Sequence, residues 1–245
     1  MLKILKTNPL SVDGNMQVDR DLLSQVGLSA HPTLHFYSWM APESITYGYF
    51  FKPEEYLDLE KIATNSNVQI GQRMTGGGAV DHAGDLAFSL TVPSRHPCFS
   101  SRPLENYQFV NGVVQHALVE FFSLRDIGSV SGQDPFGEVV PFCMGKATRY
   151  DLVVEGKKAV GAAQRTTELG YLHQGTISLL PPRESFLSLF LPSKEEMRRA
   201  IIASSHALFQ GVCEEEIENL RGPLREVLAK HFREALDNPF RERFC

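Results

Sequence analysis

An α/β (α+β) fold, a mixed β-sheet flanked by helices and followed by a helical C-terminal segment, is what this sequence predicts. Three observations carry the expectation. Short aromatic and β-branched segments are bounded by Pro, Gly or Asn, one long amphipathic stretch interrupts them, and helical character takes over after Pro181-Pro182. In chain order, Leu34 to Trp39, Ile45 to Phe51, Val68 to Arg73 and Leu86 to Val92 read as strands. From Asn106 to Leu124 the apolar positions Val110, Val113, Val114, Ala117, Leu118, Phe121 and Phe122 recur every three or four residues, the spacing of one helix face suited to cover a sheet. Asp151 to Glu155 and Ala159 to Ala163 flank Gly156-Lys157 as a hairpin, and a third strand follows at about Tyr171 to Leu179. Ser193 with Glu196 forms a capping-box signal for a helix running through about Phe209. A last helix, Glu214 to Leu236, is expected to break or kink at Gly222-Pro223.

Composition narrows the function classes. Hydrophobic residues are 42% and charged residues 22% of 245 positions, ordinary for a globular protein with a sizeable core. Lys+Arg number 24 against 29 Asp+Glu, so no basic excess exists to release counterions from a phosphate backbone, and nucleic acid is not an expected partner. Cys98, Cys143, Cys213 and Cys245 are widely spaced with no CxxC pair, which fits reduced thiols in a cytoplasmic protein. Neither an export signal nor an 18-residue apolar run is present, so no membrane association is expected, and no metal-ligand cluster stands out.

Two segments can carry chemistry. Arg73-Met74-Thr75-Gly76-Gly77-Gly78-Ala79-Val80 places three glycines directly after a strand, where backbone N–H groups can approach a phosphate or carboxylate beside an arginine. A triple glycine alone is as readily a flexible turn, and this one is neither a P-loop nor a dinucleotide fingerprint. The second is the hairpin around Lys157-Lys158, with Gly161-Ala162-Ala163 on its returning strand. If Lys158 begins that strand, its ammonium can point into a cleft and stabilise negative charge on an acyl carbonyl or phosphate; otherwise the two lysines are a solvated hairpin tip.

Together, residues 73–88 (RMTGGGAVDHAGDLAF) and 151–179 (DLVVEGKKAVGAAQRTTELGYLHQGTISL) resemble the two signature regions of the lipoate-protein ligase A family. Residues 34–50 (LHFYSWMAPESITYGYF) are similar to its early paired strands, so the resemblance covers roughly 30–180. It implies a biotin/lipoate-protein-ligase-like catalytic domain over residues 1–190, with 191–245 a helical extension packed on it. It also implies an enzyme that activates lipoate or octanoate with ATP and magnesium to an acyl-adenylate. The acyl group then passes to a lysine of a lipoyl carrier domain, of a 2-oxoacid dehydrogenase complex or the glycine cleavage H protein. By motif position, Arg73, Gly76, Gly77, Gly78, Ala79 and Val80 would hold the adenylate, Lys158 would contact the acyl carbonyl and phosphate, and Asp151 would meet nucleotide or magnesium. His82, Gly161, Ala163, His173 and Gly175 would line the pocket, although a lone strand histidine is more often structural. Biotin ligation is less expected, because RMTGGGAV replaces that group's Gly/Arg-rich loop.

Cys143, fifteen residues before Lys158, has a spacing that resembles the related cysteine-dependent octanoyltransferases. Those enzymes take octanoate from an acyl carrier protein as a thioester and need no ATP. The alternative is a cysteine without a role. A second octanoyltransferase family carries its thiol beside the later His-Gly region, where Tyr171-Leu172-His173-Gln174-Gly175 has none. The ATP-dependent ligase is therefore the first expectation, the Cys143 transferase the second, and a non-catalytic module binding lipoate or a lipoyl domain the third.

Overall fold

The computed structural model describes residues 1–124, 126–129, 151–209 and 216–238. Along the chain run β1 (Lys3–Leu5), α1 (Val12–Ser24), β2 (Thr33–Phe36), β3 (Glu43–Tyr47), α2 (Leu59–Thr64), β4 (Val68–Gln72), β5 (Ala79–Asp81) and β6 (Asp85–Pro93). Then come α3 (Pro103–Phe122), β7 (Ile127–Ser129), β8 (Leu152–Val154), β9 (Lys157–Thr167), β10 (Gly170–Ser178), α4 (Glu184–Leu187), α5 (Glu195–Ser204) and α6 (Ile217–Asp237). A seven-stranded mixed sheet has the order β1-β2-β6-β10-β9-β8-β7, and a three-stranded sheet has the order β4-β3-β5.

β6 and β10 sit at the centre of the large sheet, and all nine residues of each are buried. Side-chain alternation divides β6 between two environments. Leu86, Phe88, Leu90 and Val92 join Val110, Val114 and Leu118 of α3 and Leu224, Leu228 and Phe232 of α6 in one core cluster. Each fully buried side chain of this kind contributes about 1.5–3 kcal/mol. Ala87 and Ser89 turn to the opposite face, where α1 lies. A second apolar cluster holds the small sheet against α2, α4 and α5 through Ile45, Ile62, Val68, Phe186 and Ile201.

The mixed sheet with flanking helices is as expected, and the differences have local causes. The helix predicted to reach Phe209 ends at Ser204, because the following backbone is taken by the ends of β9 and β10: His206 N–H donates to Lys158 O at 2.8 Å and Leu208 N–H to Ser178 O at 3.1 Å. Its capping box is not made. Ser193 lies in a 3₁₀ turn, Pro192–Lys194, and Lys194 at the N-cap makes no side-chain cap bond. α6 runs unbroken through Pro223, which lies on its exposed side while Leu224 and Leu228 are anchored in the core. No described helix is long and apolar enough to cross a membrane.

Candidate active site

Lys158 owes its position to the hairpin that precedes it. Glu155 and Gly156 both adopt positive φ, 52° and 75°, the left-handed pair of a tight two-residue turn. Just beyond, the β8–β9 register slips: Val153 faces Lys158 but Leu152 faces Val160, leaving Ala159 as the extra residue of a bulge. Lys157 stays exposed while Lys158 turns inward to 2% exposure. Its Nζ lies 2.7 Å from Asp151 Oδ2, and that carboxylate is itself buried. An ammonium in such a place needs an opposite charge, since desolvation of an isolated one would cost several kcal/mol. A Cβ on Gly161 would stand 2.9 Å from Lys158 Cε, so the missing side chain there is what leaves the lysine room.

Arg73 follows β4 and is 5% exposed. One guanidinium nitrogen donates to Thr46 Oγ1 at 2.7 Å, and the other to the carbonyls of Gly76 at 3.2 Å and Gly78 at 2.8 Å. The arginine thus braces the glycine loop from within. On the loop's other side the turn after β3 presses close: a Cβ on Gly48 would lie 2.0 Å from Gly77 O, and Tyr49 N–H donates to Thr75 O at 2.8 Å. Arg73, Val80, His82, Gly161, Ala163 and Gly175 meet around one narrow pocket, which Lys158 adjoins through Gly161.

Two buried hydrogen-bond chains support this pocket. In the first, Arg73 donates to the Thr46 hydroxyl, whose oxygen lies 2.7 Å from His82 Nε2, and His82 Nδ1 meets Asp85 Oδ2 at 2.8 Å. A carboxylate oxygen accepts, so the proton of the His82–Asp85 contact sits on His82 Nδ1. Thr176 also donates to Asp85, and the Trp39 ring stacks on His82 with centroids 4.5 Å apart. In the second chain Asp19 of α1 accepts from Ser89 Oγ at 2.6 Å, from Gln174 Nε2 at 2.6 Å and from Tyr37 Oη. Thr75 of the glycine loop donates to Gln174 Oε1 at 2.5 Å, tying the loop to the sheet. Burial first, and the Asp19 charge second, hold the Tyr37 hydroxyl well above its usual pKa. Sequence reasoning missed Tyr37, Asp19, Gln174, Thr46 and Asp85. The signal for Asp19 was present: with Val12, Asn15, Met16 and Leu23 it repeats at helical spacing, a carboxylate on an inward face.

The family model of the lipoyl protein ligase A/B catalytic domain matches residues 12–240. The chain belongs to this family. An octanoyltransferase of Exiguobacterium sp. is 31% identical over 205 residues, covering 80% of this chain and 72% of the relative. One from Macrococcus caseolyticus is 28% identical over 247 residues, covering 95% and 84%. A crystal structure of lipoate-protein ligase A bound with ATP superposes with a TM-score of 0.70 at 23% identity, over 96% of this chain and 85% of that one, a likeness of fold. The resemblance read from the two motifs is therefore shown, and the chain is an enzyme of the lipoyl and octanoyl transfer type, ligase or acyltransferase.

Not every expected site residue of this lipoyl protein ligase A/B family member reaches the pocket. Cys143 lies outside the described residues. Ala79 is fully buried in the second core cluster, beneath the loop rather than in the pocket. Gly76 and Gly77 offer backbone only, with Gly77 at φ 96°. Expected to line the pocket, His173 instead points to the opposite face of β10 from Gln174 and Thr176. Its ring lies 6.2 Å from that of Phe88 and 5.5 Å from that of Tyr107 on α3. Burial lowers its pKa to about 3. The unfolded chain takes up a proton near pH 6.5 that the folded protein refuses until about pH 3, so this stability is intact above pH 6.5 and falls with acidification. Thermal melts of His173→Phe between pH 6.5 and 4 should lose less stability than the unmutated protein, by about 1.4 kcal/mol for each pH unit. An equal acid slope in both proteins would contradict this placement.

Proposed function

We propose that this protein is a cysteine-dependent acyltransferase that moves an octanoyl or lipoyl group from acyl carrier protein to a specific lysine of a lipoyl carrier domain in the cytoplasm. The observation that carries the reading is the buried Lys158–Asp151 pair beside the Arg73-braced loop, taken with octanoyltransferase relatives at 28% and 31% identity. Lys158 is positioned to stabilise the negative charge that develops on an acyl carbonyl oxygen. The Cys143 thiolate would attack the donor thioester and expel the carrier thiol, forming a new thioester. The amine of the acceptor lysine would then displace the cysteine, giving an amide and returning the proton to sulfur.

ATP-dependent ligation is the second reading, supported by the glycine loop itself. Magnesium fits poorly among the described residues, because the Asp151 carboxylate expected to meet it is turned to Lys158 at 2.7 Å. Mass spectrometry of an apo lipoyl domain incubated with the protein decides between the readings. Modification from octanoyl-acyl carrier protein without ATP, lost in Cys143→Ala, is the expected result. Modification only with lipoate, ATP and magnesium would make the protein a ligase, and none under either condition would leave a binding module.

A further inference from the structure

Arg221 is the feature of the C-terminal helix that the proposed chemistry does not use. It projects from α6 with its side chain only 11% exposed. Its Nε donates to Asp85 O at 2.8 Å, and one terminal nitrogen donates to Ala83 O at 2.6 Å and His82 O at 3.2 Å. The other terminal nitrogen binds Glu218, one helical turn earlier on α6, which fixes the guanidinium in place. Three carbonyls of a single turn therefore converge on one guanidinium from a residue some 136 positions away. Converging carbonyl dipoles repel one another, and a buried carbonyl without a donor is costly, so the cation holds this turn in shape. One turn further along α6, Arg225 donates to Tyr37 O at 3.1 Å, at the end of the strand that carries the Tyr37–Asp19 lock.

The clamped turn presents both members of the His82–Asp85 pair. Through their side chains it sets Thr46, and through Thr46 it sets Arg73 and the glycine loop. We infer that Arg221 is a positioning residue of the acyl-transfer site, fixing the His82–Asp85 turn and, through Thr46 and Arg73, the glycine loop. The inference rests on the transfer activity proposed above for its kinetic part only. A lysine cannot replace this arginine, because one ammonium has no planar fork to serve three separated carbonyls.

Two readouts on the full chain test it, with Leu228→Ala as the control, since Leu228 is a buried core residue of the same helix whose apolar side chain can donate no hydrogen bond to the turn. The first is the nitrogen NMR spectrum of the histidine rings, which needs no reaction. The unmutated protein and Leu228→Ala should both show His82 with its proton fixed on Nδ1 by Asp85, whereas Arg221→Ala and Arg221→Lys should show an averaged ring. The second is acyl transfer to a lipoyl domain at a temperature where circular dichroism shows every variant folded. Both Arg221 variants should lose on the order of tenfold to a hundredfold in kcat/KM, and Leu228→Ala should keep its rate. A locked His82 tautomer in Arg221→Ala overturns the clamp. A rate loss equally large in Leu228→Ala reduces Arg221 to a stability residue. If the unmutated protein transfers nothing, the proposed function fails, and the tautomer comparison still decides the clamp.

Discussion

Lys158→Met should abolish acyl transfer, by on the order of a thousandfold, and should also destabilise the fold. Both effects come from one contact. The ammonium and the Asp151 carboxylate are 2% and 1% exposed and 2.7 Å apart, so removing the cation takes a close opposite charge away from a buried carboxylate. Breaking such a buried pair costs about 3–5 kcal/mol. The double variant Lys158→Met/Asp151→Leu separates chemistry from folding, because replacing both charges with apolar groups of similar size is often neutral. Urea unfolding should show the single variant weakened and the double variant restored, while mass spectrometry of the carrier domain shows both inactive. An active double variant would remove Lys158 from the chemistry.

Gly48→Ala should lose on the order of a hundredfold in transfer, although position 48 bears no chemical group. The added methyl would meet Gly77 O at 2.0 Å, the Gly76 carbonyl carbon at 2.6 Å and Gly77 N at 2.7 Å, and all three are backbone atoms. No side chain can rotate away, so the glycine loop itself must shift, and with it the carbonyls that Arg73 holds. Gly112→Ala is the contrasting variant, because a Cβ at this α3 position meets nothing within 4 Å, and it should transfer at close to the unmutated rate. Equal rates for Gly48→Ala and the unmutated protein would mean that the loop's position does not matter to the reaction.

Reading from sequence succeeded where a residue's neighbours along the chain decide its structure. The apolar repeat over Val110, Val113, Val114, Ala117 and Leu118 is enough to place α3, and Gly156 is enough to announce the turn between β8 and β9, which forms at Glu155-Gly156, one residue before the expected Gly156-Lys157. It failed where a competing partner comes from elsewhere. Residues 205–209 carry no local signal to leave a helix, yet Lys158 of β9, Ser178 of β10 and Leu179 just after it offer their backbones acceptors. Short elements such as β1, β5 and β7, each three residues long, are stabilised by pairing rather than by propensity, so no periodicity announces them.

The candidate site divides in the same way. Lys158, Arg73 and the three glycines stand in two local motifs, so the sequence alone determined the family, the mixed-sheet fold and the two segments that meet at the pocket. The tertiary structure decided the rest. It turned Lys158 inward through a one-residue bulge, sent His173 to the core side of β10, and directed Arg73 into Thr46 and its own loop. It also joined Asp19, Tyr37 and Gln174, and brought Arg221 of α6 to the His82–Asp85 turn. The physical reason is that turns and helix faces follow from steric and hydrophobic preferences a few residues long. The partner that satisfies a buried charge or carbonyl is chosen by proximity in space, and chain separations of 136 residues leave no trace of that choice in local sequence.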